Sequence, residues 1–186
     1  MKKKEKKIFP YMSIGLGILF FVLFVTLDQL TKKCAVLFLK GQDPVILIRN
    51  VFQLYYLENH GAAFGLLQGR RSVFICITVI ILALIIYLYV RIPFKRKFRA
   101  LRILMVLIAA GAVGNFIDRV TQHYVVDFFY FEWINFPVFN VADIYVTCAT
   151  ILLVLVILFR FRDEDVGEIL SSIRGKRKKE SEPEEK

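Results

Sequence analysis

The chain has 186 residues, 57% of them hydrophobic, a formal net charge of +10 and a mean hydropathy of +0.57. A soluble domain is nearer to roughly 45–50% apolar, and the excess here falls in four separate blocks, which excludes a soluble protein with a few buried helices. The basic groups lie in several separate segments and not on one folded face, so they read as a topology signal and an attraction to anionic lipid, and no nucleic-acid partner is expected.

Residues 1–11 carry Lys2, Lys3, Lys4, Lys6 and Lys7, and the first apolar block, Met12–Leu27, follows directly. Borrowing Phe9–Tyr11 and Gln29–Leu30 extends it to a span of about 9–30, near the roughly 20 residues a helix needs to cross a bilayer. A basic stretch before an apolar one resembles a signal peptide. No small-residue cleavage site follows, however; VTLDQLTK does, so the segment is read as an uncleaved first span. The polar cluster DQLTK (28–32) closes it, with Asp28 and Lys32 at i and i+4, able to pair on one face.

The next segment, about 43–68, is not loop-like throughout. Val45–Ile48 and Val51–Leu57 are rich in β-branched and aromatic residues around Arg49-Asn50, which predicts a short β-hairpin over 45–57. In ENHGAAFG (58–65), Asn59 and Gly61 can offer an amide and bare backbone to an extended peptide. The second span covers 72–90, and the link after it is basic, with Arg91, Lys95, Arg96, Lys97, Arg99 and Arg102 and no acid before the third span at 100–119. Residues 124–138 hold Tyr124, Phe128, Phe129, Tyr130, Phe131, Trp133 and Phe136, an aromatic density expected to lie along the membrane interface. The fourth span covers 139–161, and the tail 162–186 is charged with mixed sign, for which partial disorder is expected.

The fold class is therefore an all-α membrane protein: four transmembrane helices with a small β-structure and an interfacial aromatic segment, one domain over 1–186. In lipid each span must satisfy its own backbone, which makes it helical. The N-terminus, the 91–102 link and the C-terminal tail share one side, which the positive-inside rule assigns to the cytoplasm; segments 28–71 and 118–138 face outward.

Two clusters on the outer side carry chemistry. In GNFIDRVTQHYVVDF (114–128), Asn115, Asp118 and Arg119 fall at i, i+3 and i+4 and share a helix face, while Asp127 stands in an apolar context, VVDFF, with no basic residue within three positions. Asp118 and Arg119 read as structural, fixing the helix end. In FNVADIY (139–145), Asn140 and Asp143 again face one way, within about a turn of the outer surface. The bland reading is an Asn140 cap with Asp143 at the positive helix end. It weakens once Asp127 is considered, because closure of spans three and four brings Asp127 and Asp143 together. Two such carboxylates share a proton and titrate as a unit, one able to deprotonate water and the other to protonate a leaving amine. An ion relay or transporter is the competing class, but it places charge near the midplane, and the centres of spans two and four carry none. His60 and His123 stand alone, and Cys34, Cys76 and Cys148 have no paired spacing, so neither a metal nor another cofactor is expected; Cys148 reads as a lipid-facing or packing residue.

DQLTK, NHGAAFG, GNFIDR with VVDF, and FNVAD stand in the order and on the side found in bacterial lipoprotein signal peptidase (signal peptidase II), which the chain resembles over about residues 12–160. The resemblance implies an intramembrane aspartic endopeptidase of the bacterial inner membrane; one chain contains every group that mechanism needs, so function as a monomer is expected. Such an enzyme would remove signal peptides from prolipoproteins just before a diacylglyceryl-modified cysteine. By motif match Asp127 and Asp143 would be the catalytic dyad. Asp28, Lys32, Asn59, Gly61, Asn115, Asp118, Arg119 and Asn140 would bind substrate or support the site. The hairpin would be an extracytoplasmic cradle for the substrate.

Overall fold

The computed structural model describes residues 10–61 and 70–175. Four of its helices are long and apolar enough to cross a membrane: α1 (Pro10–Leu39), α2 (Arg71–Arg91), α3 (Arg99–Thr121) and α4 (Val141–Arg160). Three strands, β1 (Val45–Ile48), β2 (Phe52–Asn59) and β3 (Val125–Phe131), form one antiparallel sheet in the order β1-β2-β3. A fifth helix, α5 (Asp163–Ile173), follows α4 after two residues.

The bundle is built around α3. It packs against α1, α2 and α4 and buries Leu101, Leu104, Met105, Ala110, Gly111, Gly114 and Asp118, whereas α2 buries no residue at all. Many of its apolar side chains are exposed, as on a helix facing lipid, while Ile85, Leu88 and Tyr89 pack against the cluster around Phe98. The close approach of α3 to α4 depends on glycine: a Cβ at Gly111 would stand 2.5 Å from the Ala142 carbonyl oxygen and 2.8 Å from Val146 Cγ2. Small residues at i and i+3 let two membrane helices meet backbone to backbone, which matters where no hydrophobic effect drives helices together.

Helix α1 has 30 residues, a length of about 45 Å against a hydrocarbon core of about 30 Å. It therefore continues past the expected end at residue 30, and its C-terminal turns exceed what a bilayer-spanning helix needs. Ala35 and Leu39, one helical turn apart, pack there against Val126 and Phe128 of β3. Lys40 then bonds Glu58 Oε1 at 2.8 Å, and the Tyr56 hydroxyl donates to the same oxygen at 3.0 Å. Lys40, as the leading cause, and Tyr56 hold the Glu58 carboxyl below its ordinary range, and burial pushes the Tyr56 phenol up. The sheet is thus bolted to a rigid extension of a transmembrane helix.

The structure corrects the sequence reading at two places. Residues 125–131, expected within an unpatterned interfacial stretch, form the third strand, paired with β2 through Phe52↔Phe131, Leu54↔Phe129 and Leu57↔Asp127. Only the following turn, Glu132–Ile134, and the run to Phe139 fit the interfacial description, with Trp133 78% exposed. Phe139 closes this excursion by backbone bonds to Phe128 and Phe129 at 2.8–3.0 Å. In the tail, for which partial disorder and no helix were expected, 163–173 is helical, because Asp165, Glu168, Ile169 and Ser172 form a stripe that docks on the α2–α3 link. The hairpin stands as predicted, with the left-handed Asn50 (φ 58°) in its turn. Residues 62–68 of the expected cradle, the first nine residues and 176–186 lie outside the described residues.

Candidate active site

The site gathers at the end of the bundle where α1, α3, α4 and the sheet meet. Its base is a buried ionic cluster. Asp28 is fully buried and Lys32 is 3% exposed. The ammonium lies 3.0 Å from Asp28 Oδ2, 3.0 Å from Asp118 Oδ2 and 2.8 Å from the Asn115 side-chain oxygen. A lysine has three N–H donors and no acceptor, so Lys32 is saturated by these three partners. The carboxylates are satisfied in turn. Asp28 Oδ1 accepts the Ala142 backbone N–H at 2.9 Å, Asp118 Oδ2 accepts that of Val126 at 3.2 Å, and Gln29 Nε2 donates to both acids. Lys32 thereby ties α1 to α3, Asp28 ties α1 to α4, and Asp118 ties α3 to β3. Gly114 is required here as well, since a Cβ on it would run into the Asp28 carboxylate.

Asn115 and Asn140 form the next layer. Asn140 is the N-cap of α4: its side-chain oxygen accepts from Asp143 N at 3.1 Å, and Asp143 Oδ2 accepts from Asn140 N at 3.0 Å. This reciprocal pair is a capping box, so the bland reading of these two residues holds geometrically. The box also leaves the Asn140 amide group free to donate to Asp127 Oδ1 at 2.6 Å and to the Asn115 side-chain oxygen at 3.1 Å. Asn115 Nδ2 donates to Asp143 Oδ1 at 2.8 Å. One asparagine therefore holds an oxygen of each aspartate, and a second couples Asp143 to Lys32. On the sheet side Asn59 Nδ2 donates to Asp127 Oδ2 at 2.8 Å, while its own oxygen accepts the Gly61 N–H at 2.9 Å.

Asp127 and Asp143 both line one cavity of about 440 Å³, together with Asn59, Gly61, Asn115 and Arg119. The strand places Asp127 by alternation: Val126 and Phe128 turn to α1, while Val125 and Asp127 line the cavity. Burial, reinforced by the neighbouring Asp143 carboxylate, pushes Asp127 up to about 7 against the pull of the Asn59 and Asn140 amides. The Asp127 carboxyl thus keeps its proton to near neutral pH. Arg119 closes one flank. Its guanidinium lies 4.7 Å from the Phe74 ring centroid and donates to the Gly61 carbonyl at 3.4 Å, within electrostatic reach of both aspartates. The opposite wall is apolar, formed by Phe136, Pro137, Val138, Phe139 and Ile144. Among the described residues no three His, Cys, Asp or Glu side chains converge as metal ligands would.

All ten residues singled out in the sequence meet in this region. Their division of labour is more specific than the sequence allowed: Asp118 pairs with Lys32, while Arg119 turns to Phe74 and Gly61. Gln29, Gly111, Gly114 and Ala142 were missed. The GAVG spacing of Gly111 and Gly114 within an apolar span was the available signal for the two glycines; Gln29 and Ala142 carried none. Cys148, expected to face lipid or pack, lines the cavity, as does Thr147.

Comparison with known proteins places this geometry. The family described as Signal peptidase (SPase) II matches residues 20–159. The lipoprotein signal peptidase of Clostridium tetani is 39% identical over 145 residues, 76% of this chain and 91% of that protein. That of Streptococcus pyogenes serotype M6 is 36% identical over 157 residues, 84% of this chain and 100% of that protein. Among solved structures, a bacterial membrane enzyme determined by the in meso method at 2.3 Å superposes with a TM-score of 0.73 at 33% identity, covering 87% of this chain and 98% of that one.

Proposed function

The chain belongs to the signal peptidase II family, and on that premise we propose that it is an intramembrane aspartic endopeptidase that cleaves signal peptides from prolipoproteins, with Asp127 and Asp143 as its dyad. The observation that carries the assignment is the shared scaffold of the two carboxylates: Asn140 donates through its side chain to Asp127 and through its backbone to Asp143, and both line one cavity whose other lining includes Phe136, Pro137, Val138, Phe139 and Ile144.

The chemistry follows from the protonation of the pair. With one proton between them, the ionised carboxylate takes a proton from a water molecule, which attacks the scissile carbonyl carbon. The protonated carboxyl hydrogen-bonds the carbonyl oxygen and then delivers its proton to the departing amine as the C–N bond breaks. Asn59, Asn115 and Asn140 hold the carboxylates in place so that little reorganisation is needed at the moment of reaction. Arg119 and Gly61 line the cavity beside the dyad, and the Gly61 backbone is available to an extended peptide. Asp28, Lys32 and Asp118 touch none of the reacting groups and act by fixing α1, α3, α4 and β3 relative to one another.

The substrate class is a prolipoprotein carrying a diacylglyceryl group on the cysteine after the cut. Acyl chains hold such a substrate in the bilayer, while the bond to be cut lies near the interface, where water is available. The enzyme sits in the bacterial cytoplasmic membrane with both termini inside, since the basic α2–α3 link, the start of α1 and the end of α4 lie at the end of the bundle opposite the sheet, and the dyad opens to the extracytoplasmic side. Residues 1–186 act as one unit, and one chain supplies every group the reaction uses. The test is cleavage by purified protein in detergent with chelator present. A diacylglyceryl-modified prolipoprotein should be cut immediately before the modified cysteine and its unmodified form left intact. Equal cleavage of both forms would overturn the substrate assignment.

A further inference from the structure

Helix α5 has no part in the site described above and lies beyond residue 159, where the family match ends. It is docked. Lys97 bonds Asp165 at 2.6 Å and Glu168 at 2.8 Å, and Lys95 bonds Glu168 at 2.7 Å. Ser172 Oγ donates to the Arg91 carbonyl at 2.6 Å and the Tyr87 hydroxyl to that of Ile173 at 3.3 Å. Ile169 packs into the cluster of Ile92, Phe98, Leu101 and Met105. These contacts use the stripe 165, 168, 169 and 172, which is one helix face. They also join the last turn of α2 to the rest of the bundle, and α2 has no buried residue of its own.

A second stripe, Val166, Leu170 and Ile173, lies beside the docked one at i, i+4 and i+7. Val166 is 39% and Leu170 45% exposed; Glu164 turns to the other side, while Asp163, seven residues before Leu170, borders the stripe at the first turn. Three facts identify what covers this stripe. Helix α5 starts two residues after α4 ends, and the last turn of α4 exposes Leu158 and Phe159 as lipid-facing residues do. Arg160, Arg162 and Arg174 flank α5 at its two ends, and Arg91, Arg96 and Arg99 lie on the adjoining helix ends. Of the acids of α5, Asp165 and Glu168 pair with Lys95 and Lys97 and Glu164 is turned away from the apolar stripe, which leaves Asp163 at its N-terminal edge.

We propose that α5 is an interfacial helix that lies on the membrane face carrying the α2–α3 link, with Val166, Leu170 and Ile173 in the lipid and the flanking arginines on anionic headgroups, so that the bilayer itself holds the strap that fixes α2 to the bundle. A surface helix of this kind buries its apolar face roughly 5–10 Å into the headgroup boundary. The arginines add electrostatic attraction that depends on anionic lipid and weakens with salt.

The test uses the full chain in bilayer nanodiscs of phosphatidylcholine and phosphatidylglycerol. Trp133 is the single tryptophan of the sequence, so Trp133→Phe gives a dark background. Leu170→Trp in that background should emit to the blue and lose roughly half its intensity to lipid brominated near the headgroup end of its chains. Glu164→Trp should instead be quenched by aqueous iodide. Val166→Trp is a second reporter on the same stripe should Leu170→Trp fail to fold. Quenching of the stripe reporters by iodide and not by bromolipid would put the stripe in water and overturn the proposal. Blue emission quenched by neither would show a protein surface, a second copy of this chain included, over the stripe, and would overturn it as well. Neither outcome bears on peptidase activity, which is read separately.

Discussion

Replacing Lys32 with methionine keeps the length of the side chain and removes its charge. In the native protein that charge is 3% exposed and sits 3.0 Å from each of two buried carboxylates. Asp28 would retain the Ala142 and Gln29 donors and Asp118 the Val126 and Gln29 donors, but both would lose their cation. Breaking a buried pair by removing one partner typically destabilises by about 3–5 kcal/mol. The surviving donors place this case at the low end, about 3 kcal/mol, or a fall in Tm of roughly 6–12 °C for a chain of this size. Asn115 would also lose the donor at 2.8 Å that fixes its side-chain oxygen, so Asp143 would be held less firmly and cleavage should fall further than stability alone explains. The assay is thermal unfolding in detergent beside cleavage at a temperature where both proteins are folded. Asp118→Asn added to Lys32→Met should recover part of the stability, because it removes one of the two unpaired charges. A Lys32→Met protein with wild-type Tm, or a double variant less stable than the single one, would refute the reasoning.

Asp127 gives a pH dependence with a definite sign. Its carboxyl is held at about 7 in the folded protein against an ordinary 3.8, so between those values the native state binds a proton that the unfolded state does not. Stability then falls as pH rises through the window from about 4 to 7, by on the order of 4 kcal/mol in all. Denaturant titrations of wild type and Asp127→Asn should show this slope in the first and not in the second, and cleavage should decline as pH rises through about 7. Gly114→Ala drives a methyl into the Asp28 carboxylate, and Gly111→Ala drives one into the Ala142 carbonyl. Each should destabilise by roughly 1–3 kcal/mol by overpacking, read by thermal unfolding, while alanine at Gly15, which has open space around it, should have little effect. Asn59→Ala removes one amide donor to Asp127. It should lower kcat by roughly tenfold or more with little change in Tm, and it should raise the apparent pKa on the alkaline side of the rate profile, because the lost donor favoured the charged form.

How much of this was legible in the sequence differs by element. Lipid imposes apolar composition along a whole helix, so the spans were read to within a few residues except at the C-terminal end of α1. There Thr31 and Lys32 look like a helix end because the partners that bury Lys32, Asp118 and Asn115, lie more than 80 residues away in the chain. Strand β3 was hidden for a related reason. VVDFFYF has no alternation, because Val126 and Phe128 face α1 while Val125 and Asp127 face the cavity, and a strand buried on both sides loses its period of two. The tail was read as partly disordered from its charge, with no helix assigned; α5 is ordered by Lys95 and Lys97, which lie across the bundle in the α2–α3 link. That Asp127 and Asp143 come together at one cavity was legible because an acid at a membrane boundary needs a reason. What held them was not: nothing in FNVAD says that the capping asparagine of α4 also reaches Asp127.

The most direct measurement on the central claim is cleavage of a diacylglyceryl-modified prolipoprotein by Asp127→Asn and by Asp143→Asn, each shown by thermal unfolding to be folded and by equilibrium binding to hold the substrate. The account predicts that both bind and neither cleaves, with rates down by at least about 10³-fold, as for the loss of an essential acid–base group. Cleavage by either variant at a rate near wild type, with the substrate cut at the same bond, would contradict it.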